Sequence, residues 1–117
     1  MAIPSGSGTE VLKFAYAQAV STGASTLITG VANHIYTIIS IIITENANAA
    51  EQFNIKITDS DGSSNVHYIM GVQDIAGYDT FIMNDKFVIS GNKKLIINTE
   101  SAADLDVYVS YIDQDWT

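Results

Sequence analysis

Eleven residues in the first half of the chain, His34-Ile35-Tyr36-Thr37-Ile38-Ile39-Ser40-Ile41-Ile42-Ile43-Thr44, constrain the fold more than any other segment. Ile and Thr are β-branched and lose rotamer freedom against a preceding helical turn, so a run this rich in them favours an extended strand. Side chains alternate across a strand at period two. Strict alternation puts Ile35, Thr37, Ile39, Ile41 and Ile43 on one face, and Tyr36, Ile38, Ser40, Ile42 and Thr44 on the other. Both faces are apolar. The segment therefore reads as a central strand covered on both sides, with Ile39 and Ile41 expected in the core.

Shorter alternating pieces surround it. Leu12, Phe14 and Tyr16 alternate with Lys13, Ala15 and Ala17 in a first strand, and Ser25–Thr29 forms a second that stops at Gly30. Phe53, Ile55 and Ile57 alternate with Gln52, Asn54 and Lys56, which reads as a half-buried strand with one wet face. Val66–Met70, Thr80–Met83, Lys86–Ile89, Lys93–Thr99 and Leu105–Tyr111 follow, separated by Gly, Asn, Asp and Ser clusters that favour turns. No segment carries a helical apolar stripe. The expectation is an all-β domain: an antiparallel β-sandwich of eight or nine strands, jelly-roll-like. Its parts are an N-terminal arm over residues 1–10, the sandwich over 11–112 and an acidic C-terminal tail over 113–117.

Charge narrows the function classes. Thirteen acidic residues stand against five lysines, arginine is absent and the formal charge is −8. Nucleic acid is a poor partner for such a chain, because phosphates need Lys and Arg. An anionic membrane surface is excluded for the same reason. Charged residues make up only 15% of the sequence, below the roughly 25% usual for globular domains. Part of the surface is accordingly expected to be covered by a neighbour. With no cysteine there is neither a disulfide framework nor a thiolate metal site. The start lacks the basic and apolar regions of a signal peptide, so an unexported chain made in a cytoplasm is expected.

No catalytic constellation emerges. His34 and His67 stand outside any metal-ligand spacing and read as strand histidines. Asp59-Ser60-Asp61-Gly62 places its glycine too early for a calcium loop, with no closing Glu downstream, and reads as a hairpin turn. There is no GxSxG for a serine nucleophile and no phosphate-binding glycine loop; Asp104 and Asp106 read as a solvated face. No cofactor is expected. Tyr36, Tyr68, Tyr78, Tyr108, Tyr111 and Trp116 are suited to a sugar platform or to capping core edges. Trp116 lies beyond the last strand, where it either packs back on the domain or anchors a partner. The residues expected at a partner interface are Ile3, Pro4, Tyr36, Tyr108 and Trp116.

Four segments are similar to small structural proteins of tailed bacteriophages, particularly marine ones. They are Ala2–Lys13 (AIPSGSGTEVLK), Ala32–Ile38, Asn84-Asp85-Lys86 and Asp106–Asp113. The resemblance spans essentially the whole chain. It implies a non-enzymatic virion component with a β-sandwich fold, of the head-decoration or small tail or fibre type, and carries over no catalytic residues. Homotrimers, contacts to other virion proteins and a place in the virion are the matching expectations. A receptor- or carbohydrate-binding sandwich is the alternative, and a cupin-like small enzyme a third reading that lacks its metal-ligand histidines.

Overall fold

The computed structural model describes residues 8–116. Nine strands are present among them: β1 (Thr9–Ala19), β2 (Ser25–Thr29), β3 (His34–Glu45), β4 (Glu51–Asp59), β5 (His67–Ile75), β6 (Thr80–Met83), β7 (Phe87–Ser90), β8 (Lys93–Thr99) and β9 (Leu105–Asp115). They form two antiparallel sheets. One has the order β1-β9-β3-β6, with β7 also on β3; the other runs β2-β8-β4-β5. The pairs β1–β9, β2–β8 and β4–β5, together with β3 and its short partners, are wrapped as in a jelly roll. β1 starts at Thr9 and β9 continues to Asp115, so most of the segment read as an acidic tail is strand.

The core lies between the sheets. Ile38, Ile41, Ile43, Val107 and Val109 of the larger sheet face Phe53, Ile55, Leu95 and Ile97 of the smaller one. Phe53 and Phe81 meet edge to face across the gap, with centroids 5.5 Å apart.

Strict alternation along β3 fails at one point, and the failure matters. The pairing of β3 with β9 shifts between Ile38 and Ser40, where Ile39 is the extra residue of a β-bulge. Tyr36 and Ile38 face inward before the bulge; Ile41, Ile43 and Glu45 face inward after it. Ile39, expected in the core, is only half-buried, whereas Ile41 is fully buried. The bulge is what lets both inward-facing sets come from one strand.

The wet face expected of β4 is also corrected. Asn54 is buried, donating from Nδ2 to Glu100 Oε2 at 2.9 Å and accepting the Val72 amide on Oδ1 at 2.8 Å. It clamps β5 where Val72 adopts φ 49° and the β4–β5 register shifts. Glu45 braces the opposite corner. Its carboxylate accepts the amides of Ala47, Ala49 and Tyr78 at 2.6, 3.1 and 2.8 Å, tying the β3–β4 loop to the β5–β6 loop. Burial pushes its pKa up, but these amides outweigh it and hold the group below the usual carboxylate range.

Truncating Ile41 to Ala is expected to cost about 2–5 kcal/mol from lost transfer energy plus a cavity. Ile39→Ala, at the half-buried bulge, is expected to cost clearly less. Denaturant unfolding of the two variants beside the parent measures the difference.

Candidate functional site

The outer face of the five-stranded sheet is the unusual surface of this molecule. Register places Leu12 opposite Ile112, Phe14 opposite Ser110 and Tyr16 opposite Tyr108. Ile112 continues to Thr37 and Val88, and Tyr108 to Ile42 and Ile82. All these side chains share the face turned away from the core. Leu12 is 72% exposed, Phe14 58% and Tyr16 77%, and Ile82 and Val88 are exposed as well. The result is an apolar band that draws on all five strands of the sheet. Scattered surface apolar residues are ordinary, but a contiguous band marks a surface that something covers.

Aromatic rings concentrate toward one side of the band. Phe14 stacks with Tyr108 at 5.5 Å between centroids and with Tyr16 at 6.2 Å. Beside them is a shallow concavity of about 560 Å³, lined by Tyr16, Gln18, Ile42, Thr44, Asp106 and Tyr108 among others. Gln18 Nε2 donates to one Asp106 carboxylate oxygen at 3.2 Å, and Asn46 Nδ2 donates to the other at 2.7 Å. Apolar rings and a polar rim thus lie side by side on a rigid sheet.

This face settles the orientation of the first strand, which alternation alone left open. Large Leu12, Phe14 and Tyr16 point outward, and small Ala15, Ala17 and Ala19 point to the core side, Ala19 being buried. The alternation itself was legible; which of its faces is inside was not, because alanine and aromatic residues are both apolar. Tyr108 lies within the band. Tyr36 does not: it is 3% exposed, and its hydroxyl oxygen accepts the Val31 amide at 3.0 Å. Facing inward on β3 beside Tyr111 and His34, it is a core-edge residue and presents no ring to a partner. Ile3 and Pro4 lie outside the described residues.

A polar cluster closes the end of the sandwich near Trp116. Asp113 is buried and takes Lys13 Nζ on one oxygen at 2.7 Å, with His34 Nδ1 2.7 Å from the other. His34 Nε2 lies 3.4 Å from Asp115. Burial pushes the Asp113 pKa up, yet the hydrogen bonds from Lys13 and His34 dominate and keep it below the ordinary value. Trp116 turns back on its own domain. Its amide donates to the Asn33 carbonyl at 2.9 Å, and its ring packs where a side chain at Gly8 would sit. The indole Nε1 is buried and has no acceptor among the described residues.

The acidic turn between β4 and β5 is held from within. Asp61 accepts the amides of Ser63 and Ser64 at 2.8 Å and the Ser64 hydroxyl at 2.5 Å, while Gly62 takes φ 82°. Asp59 is engaged by Lys93 and by Asn65 Nδ2. His67, at the start of β5, is exposed. No cluster of three or more metal-ligating side chains occurs among the described residues, and no helix there is long and apolar enough to cross a membrane.

Solved structures with this fold come from unrelated settings. The disulfide-linked pili of Bacillus endospore appendages match with a TM-score of 0.59 at 12% identity, over 100% of this chain and 97% of that one. The acid-stable capsid of Helicobacter pylori bacteriophage KHP30 matches with a TM-score of 0.52 at 11% identity, over 92% and 93%. The CBM22-1 and GH10 modules of a Clostridium thermocellum endo-1,4-β-D-xylanase, complexed with xylohexaose, match with 0.51 at 14%, over 86% of this chain and 24% of that one. Such low identities establish a shared β-sandwich and nothing finer. No protein-family model and no curated protein matches the sequence.

The hydrogen bonds from Ser64 and from the Ser63 and Ser64 amides lower the Asp61 pKa to about 2. A carboxyl that is more acidic folded than unfolded stabilises the fold above its unfolded pKa of about 3.9. That contribution is lost as the pH falls through the folded value. Asp61→Asn should therefore flatten the acid limb of the stability curve between about pH 4 and 2, and leave the slope above pH 5 unchanged. Urea midpoints measured across that range decide it.

Proposed function

We propose that this chain is a non-enzymatic structural subunit of a bacteriophage virion, a capsid-decoration protein or a small tail or fibre module, which acts by assembling into a homotrimer and onto other virion proteins. The observation that carries this reading is the exposed apolar band of the five-stranded sheet, where Leu12, Phe14, Tyr16, Ile82, Val88 and Tyr108 lie in water in the single chain. A sheet apolar on both faces is most stable between two covers, and only the inner face has one. The low charge content and acidic balance suit a protein packed at high copy number that must avoid unspecific contacts. The phage capsid and the pilus that share its fold are both built from repeated subunits; the pilus is disulfide-linked, whereas this chain has no cysteine and assembles through non-covalent contacts. In this reading Tyr108 belongs to the trimer contact, and Ile3 and Pro4 to a terminal contact with neighbouring subunits, while Trp116 packs on its own domain.

A second reading has its own observation. Phe14, Tyr16 and Tyr108 stand beside Gln18 and Asp106, and aromatic faces next to hydrogen-bonding groups suit a carbohydrate. A carbohydrate-binding module shares the fold.

Light scattering on the purified chain at micromolar concentration is expected to give a trimer or a particle of a multiple of three chains. Ile82→Glu, at an exposed position, should abolish the three-fold species while changing fold stability by no more than about 0.5 kcal/mol. A monomeric parent chain would overturn the assembly reading. Calorimetric binding of xylohexaose or another oligosaccharide that is lost in Tyr16→Ala would favour the carbohydrate-binding module instead.

A further inference from the structure

Sheet edges invite unwanted pairing, and this fold guards three of its four. β2 has only five residues and a register shift between Thr26 and Ile28. β5 shifts register twice along β4 and is turned by the positive φ of Val72. The β6–β7 edge is two strands of four residues, interrupted by Asn84-Asp85-Lys86. Short strands, bulges and charged breaks are the usual devices against edge-to-edge association.

β1 has none of them. It runs for eleven residues paired with β9 without a register shift, contains no proline, and has no strand paired on its other side among the described residues. Its few polar side chains are tied back onto β9. Lys13 Nζ is held by Asp113 at 2.7 Å, Glu10 accepts Gln114 Nε2 at 2.8 Å, and Gln18 donates to Asp106 at 3.2 Å. The charges that would repel an incoming strand are engaged from within. Only toward its end is the edge covered, where the Gln18 carbonyl accepts the Ser25 hydroxyl at 3.1 Å and Ala19 is buried.

We infer that β1 is a strand-pairing edge whose occupant is β1 of a second copy of this chain, joined antiparallel about a two-fold axis at Phe14. Phe14 is the central residue of Thr9–Ala19, so this register pairs the open stretch Val11–Ala17 with its own copy. It sets Leu12 against the partner's Tyr16 on the outer face. On the core side Val11 meets the partner's Ala17, and Lys13 meets the partner's Ala15. Beyond this stretch Glu10 comes level with the partner's Gln18, and the buried Ala19 takes no part. No like charges stand opposite each other, the condition under which cross-strand pairs stabilise. Two five-stranded sheets become one ten-stranded sheet, and the apolar band runs on across the axis. The contact rests on the reading of the chain as an assembly subunit and adds to it. A two-fold edge combined with a three-fold face contact builds either a closed dihedral particle or an extended lattice.

Cysteine pairing tests it cleanly in a chain without native cysteine. In the full-length V11C/A17C variant each thiol faces the other type across the axis, at cross-strand distance. Mild oxidation or a short bis-thiol cross-linker is expected to convert it to covalent dimer. A17C alone, with its thiols roughly 20 Å apart in this register, is expected to stay uncoupled. Adding F14K to V11C/A17C sets two cations face to face on the axis and should abolish the cross-link. A V11C/A17C variant that yields no covalent dimer overturns the inference, as does equal coupling of A17C alone or cross-linking untouched by F14K. Light scattering under reducing conditions separates the two levels. Trimer without cross-link refutes the edge and leaves the assembly reading standing; cross-link in a six-chain or larger particle supports both contacts, and cross-link in a two-chain particle supports the edge and refutes the three-fold contact.

Discussion

β3 is apolar on both sides, and the rest of the fold is arranged around that fact. Inside, Ile38, Ile41 and Ile43 are fully buried against the second sheet. Outside, Ile42 sits between Tyr108 of β9 and Ile82 of β6. The bulge at Ile39 adjusts the phase so that Tyr36 and Glu45, near the two ends of the strand, both turn inward. Each then anchors a loop: Tyr36 accepts the Val31 amide, and Glu45 gathers three amides from two loops. Burying apolar surface is worth roughly 25 cal/mol per Å². An isolated chain realises this on only one face of its larger sheet.

Polar groups are placed where the sandwich ends. Asp113 with Lys13 and His34 closes one end, and Asn54 with Glu100 and the Val72 amide fixes the turn of β5. A buried polar group without a partner is costly, so each of these positions demands its neighbours. These clusters explain the shape of the domain. The outer band, which satisfies no such internal demand, is left to explain the function.

Much of this was legible in the sequence. Period-two alternation located the strands, and the β-branched run marked the central one. The bulge escaped notice because Ile39 is flanked by residues of its own kind, and an extra Ile in an Ile run changes no pattern. The orientation of β1 was hidden for a related reason: Ala15 and Ala17 are as apolar as Phe14 and Tyr16 for the purpose of alternation. Their smallness was the available signal, since a residue facing a close-packed neighbouring strand must be small. Asn54 looked like a surface residue because one sequence does not show which backbone amides await a side-chain acceptor, and the role of Glu45 was hidden for the same reason. The interface expectation at Tyr108 fell on the exposed band, whereas that at Tyr36 fell on the core, in phase with Ile38.

The central claim is that the outer band of the five-stranded sheet is covered when the chain does its work. Hydroxyl-radical footprinting compares the dissociated chain at low concentration with the assembled form and reads Leu12, Phe14, Tyr16, Ile82 and Tyr108 one by one. The account predicts strong protection of these side chains on assembly, with the exposed Tyr68 and Tyr78 outside the band unchanged. Oxidation of the band at the same rate in both states would contradict it.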